Sequence, residues 1–523
     1  MSDVVVQPRT RMPGSLARLK PLTIALGMGL GAGMVPAADA ATYTVSNLAN
    51  AGAGSLRQAV LDANGNAGLD TVNFTVTGTI SLATEISITE QVTITGPGAA
   101  SMTLTPSSAN RALYVSHAAG TTTISGLTIQ GNGTATVIGA GIYHRLGTLV
   151  LQNTVFNGNI TTSSGGALFN YGGPLDIQSS TFTGNGATDG GMLYNHGGDV
   201  TIQSSTITGN TAKSHGGAII FYYTSASLII NDSIVSGNTA TNATGDGGAI
   251  YFDSGGNLTI RRTTLAGNKA TNDGGAISLH NSGRLTIEDS TLSGNTATDD
   301  GGAIELYASL PAYIRNSTLS GNSAGDTGGA IYLYDGQTLN IINSTLTGNQ
   351  AVGKGGAIYL YSYGTDNTLN LISTIVANSS DSGGTRDIFS GGGSIVNATN
   401  SLITNLNGFA FTTDVNNVKG VNPLLGPLAN NGGPTQTHGL FAGSPALNKG
   451  SNPDAQSFDQ RGTGFPRTVG GLVDIGAFEG IVAPSVIVPV PAVAPLGLAA
   501  LSALLALLGL GGAKRRRRSR PPA

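Results

Sequence analysis

An acidic residue stands directly before a Gly-Gly pair in several successive segments of this 523-residue sequence. The residues in this place are, in order, Asp189, His215, Asp246, Asp273, Asp300, Thr327 and Lys354, and we call the first five the acidic row. If the segments stack at the roughly 4.8 Å spacing of neighbouring strands, consecutive carboxylates would repel one another, raise one another's pKa or attract Ca²⁺. The predicted metal ligands are Asp246, Asp273 and Asp300, and Ca²⁺ is the one cofactor that the sequence suggests.

The same spacing would suit a two-carboxylate glycosidase, whose acidic pair stands about 5–9 Å apart. This agreement is not specific, because any column of aspartates at strand spacing produces it and aspartate before a glycine turn is ordinary turn chemistry. Asp299-Asp300 superficially resembles the aspartate pair of β-helical polygalacturonases, but the accompanying Gly-His-Gly and Arg-x-Lys motifs are missing from the repeats. No catalytic residue is predicted, and a polysaccharide-degrading lyase or glycoside hydrolase is the alternative function.

Aromatic residues follow the same glycine pairs at the fourth and sixth positions after the first glycine. These two positions hold ten of the chain's 15 tyrosines. The predicted binding residues, which we call the aromatic strip, are Tyr194, Tyr222, Tyr251, Tyr307, Tyr332, Tyr334, Tyr359 and Tyr361. An exposed strip of this kind would be a platform for the rings of a polysaccharide. Alternatively, the rings only stack across neighbouring strands and stiffen a sheet.

The element that positions these residues is a repeat, seen most clearly in Gly328–Tyr334 and Gly355–Tyr361, which begin 27 residues apart. A fixed period of this size predicts a solenoid with one structural unit per repeat. Within Gly355–Tyr361 aliphatic and aromatic residues alternate, as they do in half-buried strands. We therefore expect an all-β protein, with a right-handed parallel β-helix over residues 121–405.

A second feature of the repeat is an asparagine that follows a glycine at the same turn. The predicted ladder consists of Asn185, Asn210, Asn238, Asn268, Asn295, Asn322 and Asn349. Stacked amides at strand spacing can hydrogen-bond along such a column, and the preceding glycine permits a positive φ at the bend. We predict a structural role for this column.

Both ends of the solenoid are predicted to carry caps. Residues 41–120 are expected to form an N-terminal cap and the first turns, with Ser55 as the N-cap of a short helix that covers the open first turn. Residues 406–480 are expected to form a loop-rich C-terminal cap over the last turn. An internal ion network is predicted there among Asp459, Arg461, Arg467, Asp474 and Glu479.

The terminal segments predict export. Residues 1–40 are typical of a secretory signal peptide, and 495–513 form an apolar stretch about long enough to cross a membrane. A Val/Pro linker at 481–494 precedes this stretch, and a basic tail at 514–523 should remain cytoplasmic. We expect secretion across the inner membrane to the cell envelope, outer membrane or cell surface.

The composition of the chain excludes some classes of partner and of chemistry. A net charge of −3 gives no overall attraction to nucleic acid, which is not a predicted partner. The absence of cysteine excludes disulfides, thiolate metal sites and cysteine nucleophiles.

Several stretches resemble known bacterial surface proteins. Residues 420–480, with Asp-Gln-Arg-Gly at 459–462 and Val-Asp-Ile-Gly-Ala-Phe-Glu at 473–479, resemble the choice-of-anchor Q domain. The opening, with Gly-Ser-Leu-Arg-Gln-Ala at 54–59, resembles the N-terminal region of CSLREA-type proteins. The Gly-Gly-Ala-Ile phrases and the Phe-x-x-Asn phrases at Phe156 and Phe182 resemble repeats of polymorphic outer membrane proteins.

The C-terminal tail carries a further resemblance. Its Val-Pro-Val-Pro run at 488–491, apolar stretch and basic end are similar to the PEP-CTERM and IPTL-CTERM sorting tails of Gram-negative bacteria. The resemblance implies an exosortase-type sorting enzyme as a partner and attachment to a membrane through the C-terminal segment. Together the resemblances imply an adhesin-like surface protein whose partners are polysaccharides or glycans of the host or envelope.

Overall fold

The structure is a computed structural model that describes residues 39–131, 133–281, 283–307, 310–384 and 386–482. Most of the predicted signal peptide and Val/Pro linker, the whole apolar stretch at 495–513 and the basic tail at 514–523 lie outside the described residues. Within the described part of the chain, no helix combines the length and the apolar character needed to cross a membrane. The helix and all the strands belong to the compact unit that begins at Ala40.

Short parallel strands wind into a right-handed β-helix of about 13 turns, which confirms the predicted fold. Each turn contributes up to four strands, and each strand pairs with its equivalent in the next turn. Ile331 pairs with Ile358 and Leu333 with Leu360, so identical repeat positions lie directly above one another. We number the four strand columns 1 to 4, starting with the strand that follows Gly-Gly-Ala.

The strands of each column share one position in the repeat, and two long strands run through columns 1 and 2. Column 1 contains Ile86–Ile88, Leu113–Ser125, Ile142–Gln152, Leu168–Asn170, Leu193–Asn195, Ile219–Thr224, Ile250–Ser254, Ile277–His280, Ile304–Tyr307, Ile331–Leu333, Ile358–Leu360 and Ile388–Ser390. Column 2 contains Thr42–Val45, Asp70–Phe74, Val92–Thr95, the second halves of the two long strands, Leu175–Gln178, Val200–Gln203, Leu228–Asn231, Leu258–Arg261, Leu285–Glu288, Ala312–Arg315, Thr338–Ile342, Thr368–Ile372, Ile395–Thr399 and Thr413–Val415.

The other two columns complete each turn. Column 3 contains Gly78–Leu82, Met102–Pro106, Thr128–Gln130, Val155–Asn157, Thr181–Thr183, Thr206–Thr208, Ile234–Ser236, Thr264–Ala266, Thr291–Ser293, Thr318–Ser320, Thr345–Thr347, Ile375–Ala377, Leu402–Ile403 and Val418–Lys419. Column 4 contains Thr134–Ala135, Ile160–Thr161, Gly186–Ala187, Thr211–Ala212, Thr239–Ala240, Lys269–Ala270, Thr296–Ala297, Ser323–Ala324 and Gln350–Ala351. An antiparallel pair, Leu425–Ala429 with Thr437–Leu440, follows the solenoid.

Each glycine of the Gly-Gly pair between columns 4 and 1 is required for a different physical reason. Gly301 has a φ of +65°, a conformation that a side chain disfavours. Gly302 has no room for a side chain, because a Cβ there would collide with the carbonyl oxygen of Gly329 in the next turn. The apolar residues of each column then fill one continuous core, in which Ile358 and Leu360 are fully buried.

The predicted asparagine column is a hydrogen-bonded ladder at the bend between columns 3 and 4. Asn295 Nδ2 donates to Asn322 Oδ1 at 2.9 Å and to the carbonyl oxygen of Leu265 at 3.0 Å. The backbone N–H of Asn295 donates to the same Oδ1 of Asn322 at 3.0 Å. The side-chain bond recurs at 2.9–3.0 Å from Asn159 to Asn349, and each preceding glycine of the seven predicted rungs has a φ of +61° to +66°.

A second ladder, absent from the sequence-based predictions, occupies the bend between columns 2 and 3. The backbone N–H of Thr263 donates to Ser290 Oγ at 3.1 Å, and that of Ser290 donates to Ser317 Oγ at 3.2 Å. Ser290 Oγ in turn donates to the carbonyl oxygen of Glu288 at 2.7 Å. The signal in the sequence was the recurring Ser-Thr pair, whose first member satisfies a buried backbone donor in the adjacent turn.

The N-terminal helix runs from Leu56 to Asn64 and covers the first turn as predicted. Ser55 is its N-cap, and its Oγ accepts the backbone N–H of Gln58 at 3.2 Å. Leu56, Ala59, Val60 and Ala63 are buried and belong to the core of the solenoid.

The segment after the solenoid, residues 420–482, does more than cap the last turn. It runs back along the outside of column 3, and we call it the C-terminal brace. Gln460 Nε2 donates to Thr291 Oγ1 at 2.9 Å, and the backbone N–H of Gly476 donates to the carbonyl oxygen of Ser373 at 2.9 Å. The segment expected to cap the last turn therefore also supports the side of the solenoid. It can do so because threonine hydroxyls on column 3 form hydrogen bonds with polar groups of the brace over several turns.

The charged residues of the brace meet in one buried network. Arg461 Nη2 lies 2.6 Å from Asp459 Oδ2, and its guanidinium lies 4.0 Å and 3.8 Å from the ring centres of Phe465 and Phe478. Arg467 is fully buried, with Nη1 lying 3.6 Å from Glu479 Oε2. Burial raises the pKa of Glu479 to about 7, an effect that the Arg467 charge opposes.

Candidate functional site

The residues of the aromatic strip and their neighbours form stacks on the outer face of column 1, parallel to the solenoid axis. One stack consists of Tyr251, His280, Tyr307, Tyr334 and Tyr361, with successive ring centres 5.1, 5.2, 4.2 and 5.4 Å apart. A second consists of Tyr332, Tyr359 and Phe389, at 5.7 and 5.5 Å. A third, nearer the N-terminus, consists of Tyr114, Tyr143, Phe169 and Tyr194, at 5.4, 5.5 and 4.9 Å.

The strip is less exposed than its sequence pattern suggests. Tyr307 is 36% exposed and Tyr334 and Tyr361 are half-buried, whereas Tyr251 and Tyr332 are only 7% and 8% exposed. The cause is packing among the columns, since the Tyr251 ring lies 4.6 Å from that of His215. Burial also raises the pKa of Tyr251, and nearby Asp253 adds to this effect. The rings therefore stiffen the sheet, and the parts of the rings that their neighbours leave uncovered, together with the hydroxyls, define the accessible surface.

The acidic row is a third ladder. One oxygen of each aspartate accepts the backbone N–H of the residue at the same position one turn later. Asp273 Oδ1 accepts the N–H of Asp300 at 2.8 Å, and Asp300 Oδ1 accepts that of Thr327 at 2.9 Å. Asp246 Oδ1 accepts the N–H of Asp273 at 3.3 Å. Two of the second carboxylate oxygens have neighbouring side chains: Asp273 Oδ2 accepts a hydrogen bond from Asn272 Nδ2 at 3.0 Å, and Asp246 Oδ2 lies 3.4 Å from His215 Nδ1.

Glu305 joins the acidic row through a break in the aromatic column, and the sequence-based ligand set missed it. The fourth repeat position runs Tyr251, Ser278, Glu305 and Tyr332 in paired register. Ser278 Oγ donates to Glu305 Oε2 at 2.6 Å, so the carboxylate reaches back to the preceding turn. The signal in the sequence was this interruption of tyrosines by one small and one acidic residue.

Glu305 is 4% exposed, and a histidine is the basic group beside it. His280 Nε2 lies 3.4 Å from Glu305 Oε2. Burial alone would lower the pKa of His280, but the hydrogen bond and charge of Glu305 raise it above its ordinary value. Asp246 has a similar neighbour, because its Oδ2 lies 3.4 Å from Nδ1 of His215.

Three carboxylates of the acidic row have raised pKa values, and their partial or full burial is the largest cause. Burial, followed by the charge of Glu305, raises the pKa of Asp273 to about 8, and the same two causes raise that of Asp246. Burial also raises the pKa of Asp300 to about 6, although hydrogen bonds from Thr327 oppose the change. In the described part of the chain no lysine or arginine forms an ion pair with these three residues or Glu305. The cluster can hold protons, bind a cation or accept hydrogen bonds from hydroxyls.

These pKa values predict that the protein loses stability as the pH rises. A carboxylate whose folded-state pKa lies above its unfolded value stabilises the fold fully below the unfolded pKa and progressively less as the pH passes the folded pKa. For Asp273 this interval runs from pH 3.8 to about 8. We expect the Tm to fall between pH 5 and pH 9, and to fall less in Asp273→Asn. Differential scanning calorimetry of both, with the exposed-residue variant Glu90→Gln as the control, measures this, and a Tm that stays constant or rises contradicts it.

The three predicted metal ligands do not form one compact group. The carboxylates with oxygens all within 4.8 Å of one another belong to Asp299, Asp300 and Asp326, so only Asp300 is shared with the predicted set. The reason is the ladder, which holds the carboxylates of Asp246 and Asp273 one turn apart. Calcium binding by Asp246, Asp273 and Asp300 stays a prediction.

A cavity of about 260 Å³ opens between the acidic row and the aromatic strip. Its lining residues are Asp189, Tyr194, Ser214, His215, Ile220 and Tyr222. The volume lies just below the roughly 300–1,000 Å³ of ligand pockets, and it suits a single ring better than a larger ligand. Two members of the predicted strip and two of the acidic row meet there.

The family to which the sequence belongs has the same right-handed winding. A family described as a right-handed β-helix region matches residues 111–271, 207–372 and 263–422, which together span more than half of the chain. The chain belongs to this right-handed β-helix family. No curated protein sequence matches it significantly.

Solved structures with a similar fold include several polysaccharide-active enzymes. A mannuronic acid-specific family 6 polysaccharide lyase from the human gut microbiota is 10% identical, with a TM-score of 0.42 over 72% of this chain and 91% of that chain. The catalytic unit of an α-1,3-glucanase from Streptomyces thermodiastaticus is 15% identical, with a TM-score of 0.36 over 69% and 71%. A pectate lyase is 14% identical, with a TM-score of 0.31 over 84% and 96%. These similarities are too low to assign a substrate or a reaction to this chain.

Proposed function

We propose that this chain is a non-enzymatic bacterial surface protein that binds a polysaccharide lengthwise along the aromatic strip. The observation that carries the proposal is the stack of Tyr251, His280, Tyr307, Tyr334 and Tyr361, which extends over five turns without a gap larger than 5.4 Å. Aromatic faces pack against the C–H faces of sugars, and tyrosine hydroxyls and carboxylates bond sugar hydroxyls. A row of such groups parallel to the axis matches an extended polymer better than a small ligand.

The cellular setting belongs to the same proposal. Its support is the sequence alone: the signal-like segment at 1–40, the apolar stretch at 495–513 and the basic tail at 514–523. Resemblance to choice-of-anchor Q, CSLREA and polymorphic outer membrane proteins favours adhesion to host or envelope glycans. The sorting-tail resemblance favours export across the inner membrane, processing by an exosortase-type enzyme and residence in the envelope, outer membrane or cell surface.

One observation favours a second candidate, a polysaccharide-degrading enzyme. Asp273 has a pKa of about 8, so it is protonated at neutral pH, and it lies in a cluster with Asp246 and Glu305. A protonated acid beside an ionised carboxylate is the arrangement that glycoside hydrolysis requires. Against this reading, Glu305 and Asp246 are buried and each oxygen of the acidic row that faces the next turn is committed to a backbone N–H.

A polysaccharide microarray tests the first candidate. The purified full-length protein should bind at least one class among neutral, amino-containing and uronic acid-containing polymers. Failure to bind any of the three classes would refute the proposal. Incubation of the same polymers with wild-type protein and Asp273→Asn tests the second candidate. Release of new reducing or unsaturated ends by the wild type, and none by Asp273→Asn, would replace the binding function by an enzymatic one.

A further inference from the structure

We infer that the cavity between Tyr194 and Tyr222 is a subsite for a sugar that carries a protonated amino group. This inference rests on the proposed function and specifies its ligand class: an amino-sugar polysaccharide rather than a polyuronate. Three features carry it: the shape of the cavity, the charge of its lining, and the charge of the turns into which it opens.

The walls of the cavity are aromatic and its inner surface is aliphatic. Tyr194 stacks on Phe169, with ring centres 4.9 Å apart and planes inclined by 5°, so its ring is held in place. Ile220 pairs with Tyr194 in column 1 and is 2% exposed, which makes it the apolar inner surface. Tyr222 forms the other wall from the following turn. Two tyrosine rings that line one cavity can cover a pyranose ring and attract a cation.

The wall at Tyr222 depends on an unusual neighbour. Tyr223 is an extra residue at a bulge where column 1 shifts register between Tyr222 and Thr224. It has a φ of +48°, which is rare for a bulky residue, and it is 72% exposed. Its ring centre lies 4.3 Å from that of Tyr222. Strained backbone and bulges cluster at functional sites, and here the strained residue supports a ring of the cavity.

The lining of the cavity is acidic. Asp189 Oδ1 accepts the backbone N–H of His215 at 3.4 Å, and within the described residues Oδ2 has no hydrogen-bond partner. No lysine or arginine lines the cavity, and Lys213, which is close in sequence, lines a different cavity beside column 4. An ammonium group placed between the tyrosines therefore finds a carboxylate oxygen available for a charge-assisted hydrogen bond.

The following turns extend the same charge. Asp246, Asp253 and Glu305 lie on or beside the strip, and histidines are the basic groups in ion-pair distance of them in the described structure. A polyuronate laid along the strip would place its carboxylates against these groups, which is unfavourable. A polymer with protonated amino groups would be attracted to the cavity and to the turns beyond it.

Isothermal titration calorimetry of the full-length protein in EDTA tests the inference. The ligands are a glucosamine hexamer, an N-acetylglucosamine hexamer and a galacturonate hexamer. We expect the glucosamine hexamer to bind about tenfold more tightly than the acetylated one, and Asp189→Asn to remove this difference. Tyr222→Leu should weaken the glucosamine hexamer severalfold, whereas Glu90→Gln, which removes the same charge from an exposed site elsewhere, should bind as the wild type does.

The outcomes separate the inference from the proposed function. Equal or tighter binding of the acetylated or galacturonate hexamer overturns the inference and leaves polysaccharide binding in place. Preference for glucosamine that survives in both Asp189→Asn and Tyr222→Leu, with unchanged circular dichroism, also overturns it, because the cavity then has no part in recognition. Galacturonate binding that is absent in EDTA and appears when Ca²⁺ replaces the EDTA overturns the inference and assigns the acidic turns to calcium instead. Absence of binding to all three hexamers and to the microarray refutes the proposed function itself.

Discussion

Replacing Tyr307, Tyr334 and Tyr361 together by alanine should weaken polysaccharide binding about 100-fold while the solenoid remains folded. These rings are the accessible part of the longest stack, and each aromatic contact is worth about 0.5–1.5 kcal/mol beyond the area that it buries. Their neighbours Ile304, Ile331 and Ile358 fill the core independently, so the turns should persist. Titration calorimetry with the polymer that binds best on the microarray measures the loss.

The matched control keeps the rings and removes the hydroxyls. Tyr307→Phe, Tyr334→Phe and Tyr361→Phe in one chain should retain most of the affinity if stacking dominates. Equal losses in the alanine and phenylalanine variants would instead assign recognition to the hydroxyls. Unchanged affinity in the alanine variant, with an unchanged far-ultraviolet circular dichroism spectrum, would show that the strip is purely structural.

Arg467→Met should destabilise the C-terminal brace by about 3–5 kcal/mol, since removal of one partner leaves buried charge uncompensated. Arg467 Nη2 donates to Asn316 Oδ1 at 2.9 Å, to the carbonyl oxygen of Asn343 at 3.2 Å and to that of Gly476 at 2.7 Å. Its loss therefore breaks the attachment of the brace to two turns of column 3 and leaves Glu479 without its ion pair. Limited proteolysis should cut residues 420–482 before the solenoid.

A surface pair provides the comparison. Arg262 is paired with Asp232 at 2.6 Å, but both side chains are substantially exposed, so Arg262→Met should change the free energy of unfolding by about 0–1 kcal/mol. If the two variants have the same denaturation midpoint and the same pattern of proteolysis, the brace is not held by Arg467.

The fold could be predicted from the sequence because, in a repeat protein, the pattern within one repeat also determines which distant residues pair between turns. Assigning Ile358 and Leu360 to the core also assigned the equivalent residues of the other repeats to it, because equivalent strands pair in register. The asparagine ladder followed in the same way from the recurring Gly-Asn pairs. The brace was different. A segment without a period carries no register, and its contacts join residues far apart in sequence, such as Thr318 and Gln460. Sequence patterns alone could place it only after the last turn.

The sequence predicted which strand column carries the candidate site, but it did not predict how deeply each side chain is buried. Alternation assigned the tyrosines to the outer face, yet it could not show that Tyr251 and Tyr332 are covered by adjacent rings, because cover comes from neighbouring turns and depends on rotamers. The same limit hid the reach of Glu305 back to Ser278. Nor could alternation show the cavity, whose wall at Tyr222 lies beside the bulge at Tyr223.

The brace sets which part of the solenoid can change length. Its contacts run from Asp289 to Asn400. The Gly-Gly pairs at 274, 301, 328 and 355 are each 27 residues apart, and column 3 advances by 30 residues from Thr345 to Ile375. The pairs at 165, 190, 216 and 247, before the braced turns, are separated by 25, 26 and 31 residues. The three extra residues of the turn that begins at Gly355 lie between columns 1 and 2, away from the brace. An insertion in column 3 or in the bends beside it would misalign several attachments at once. We therefore expect changes in length to be tolerated best outside column 3, above all in the N-terminal turns that precede the braced ones, where the cavity lies.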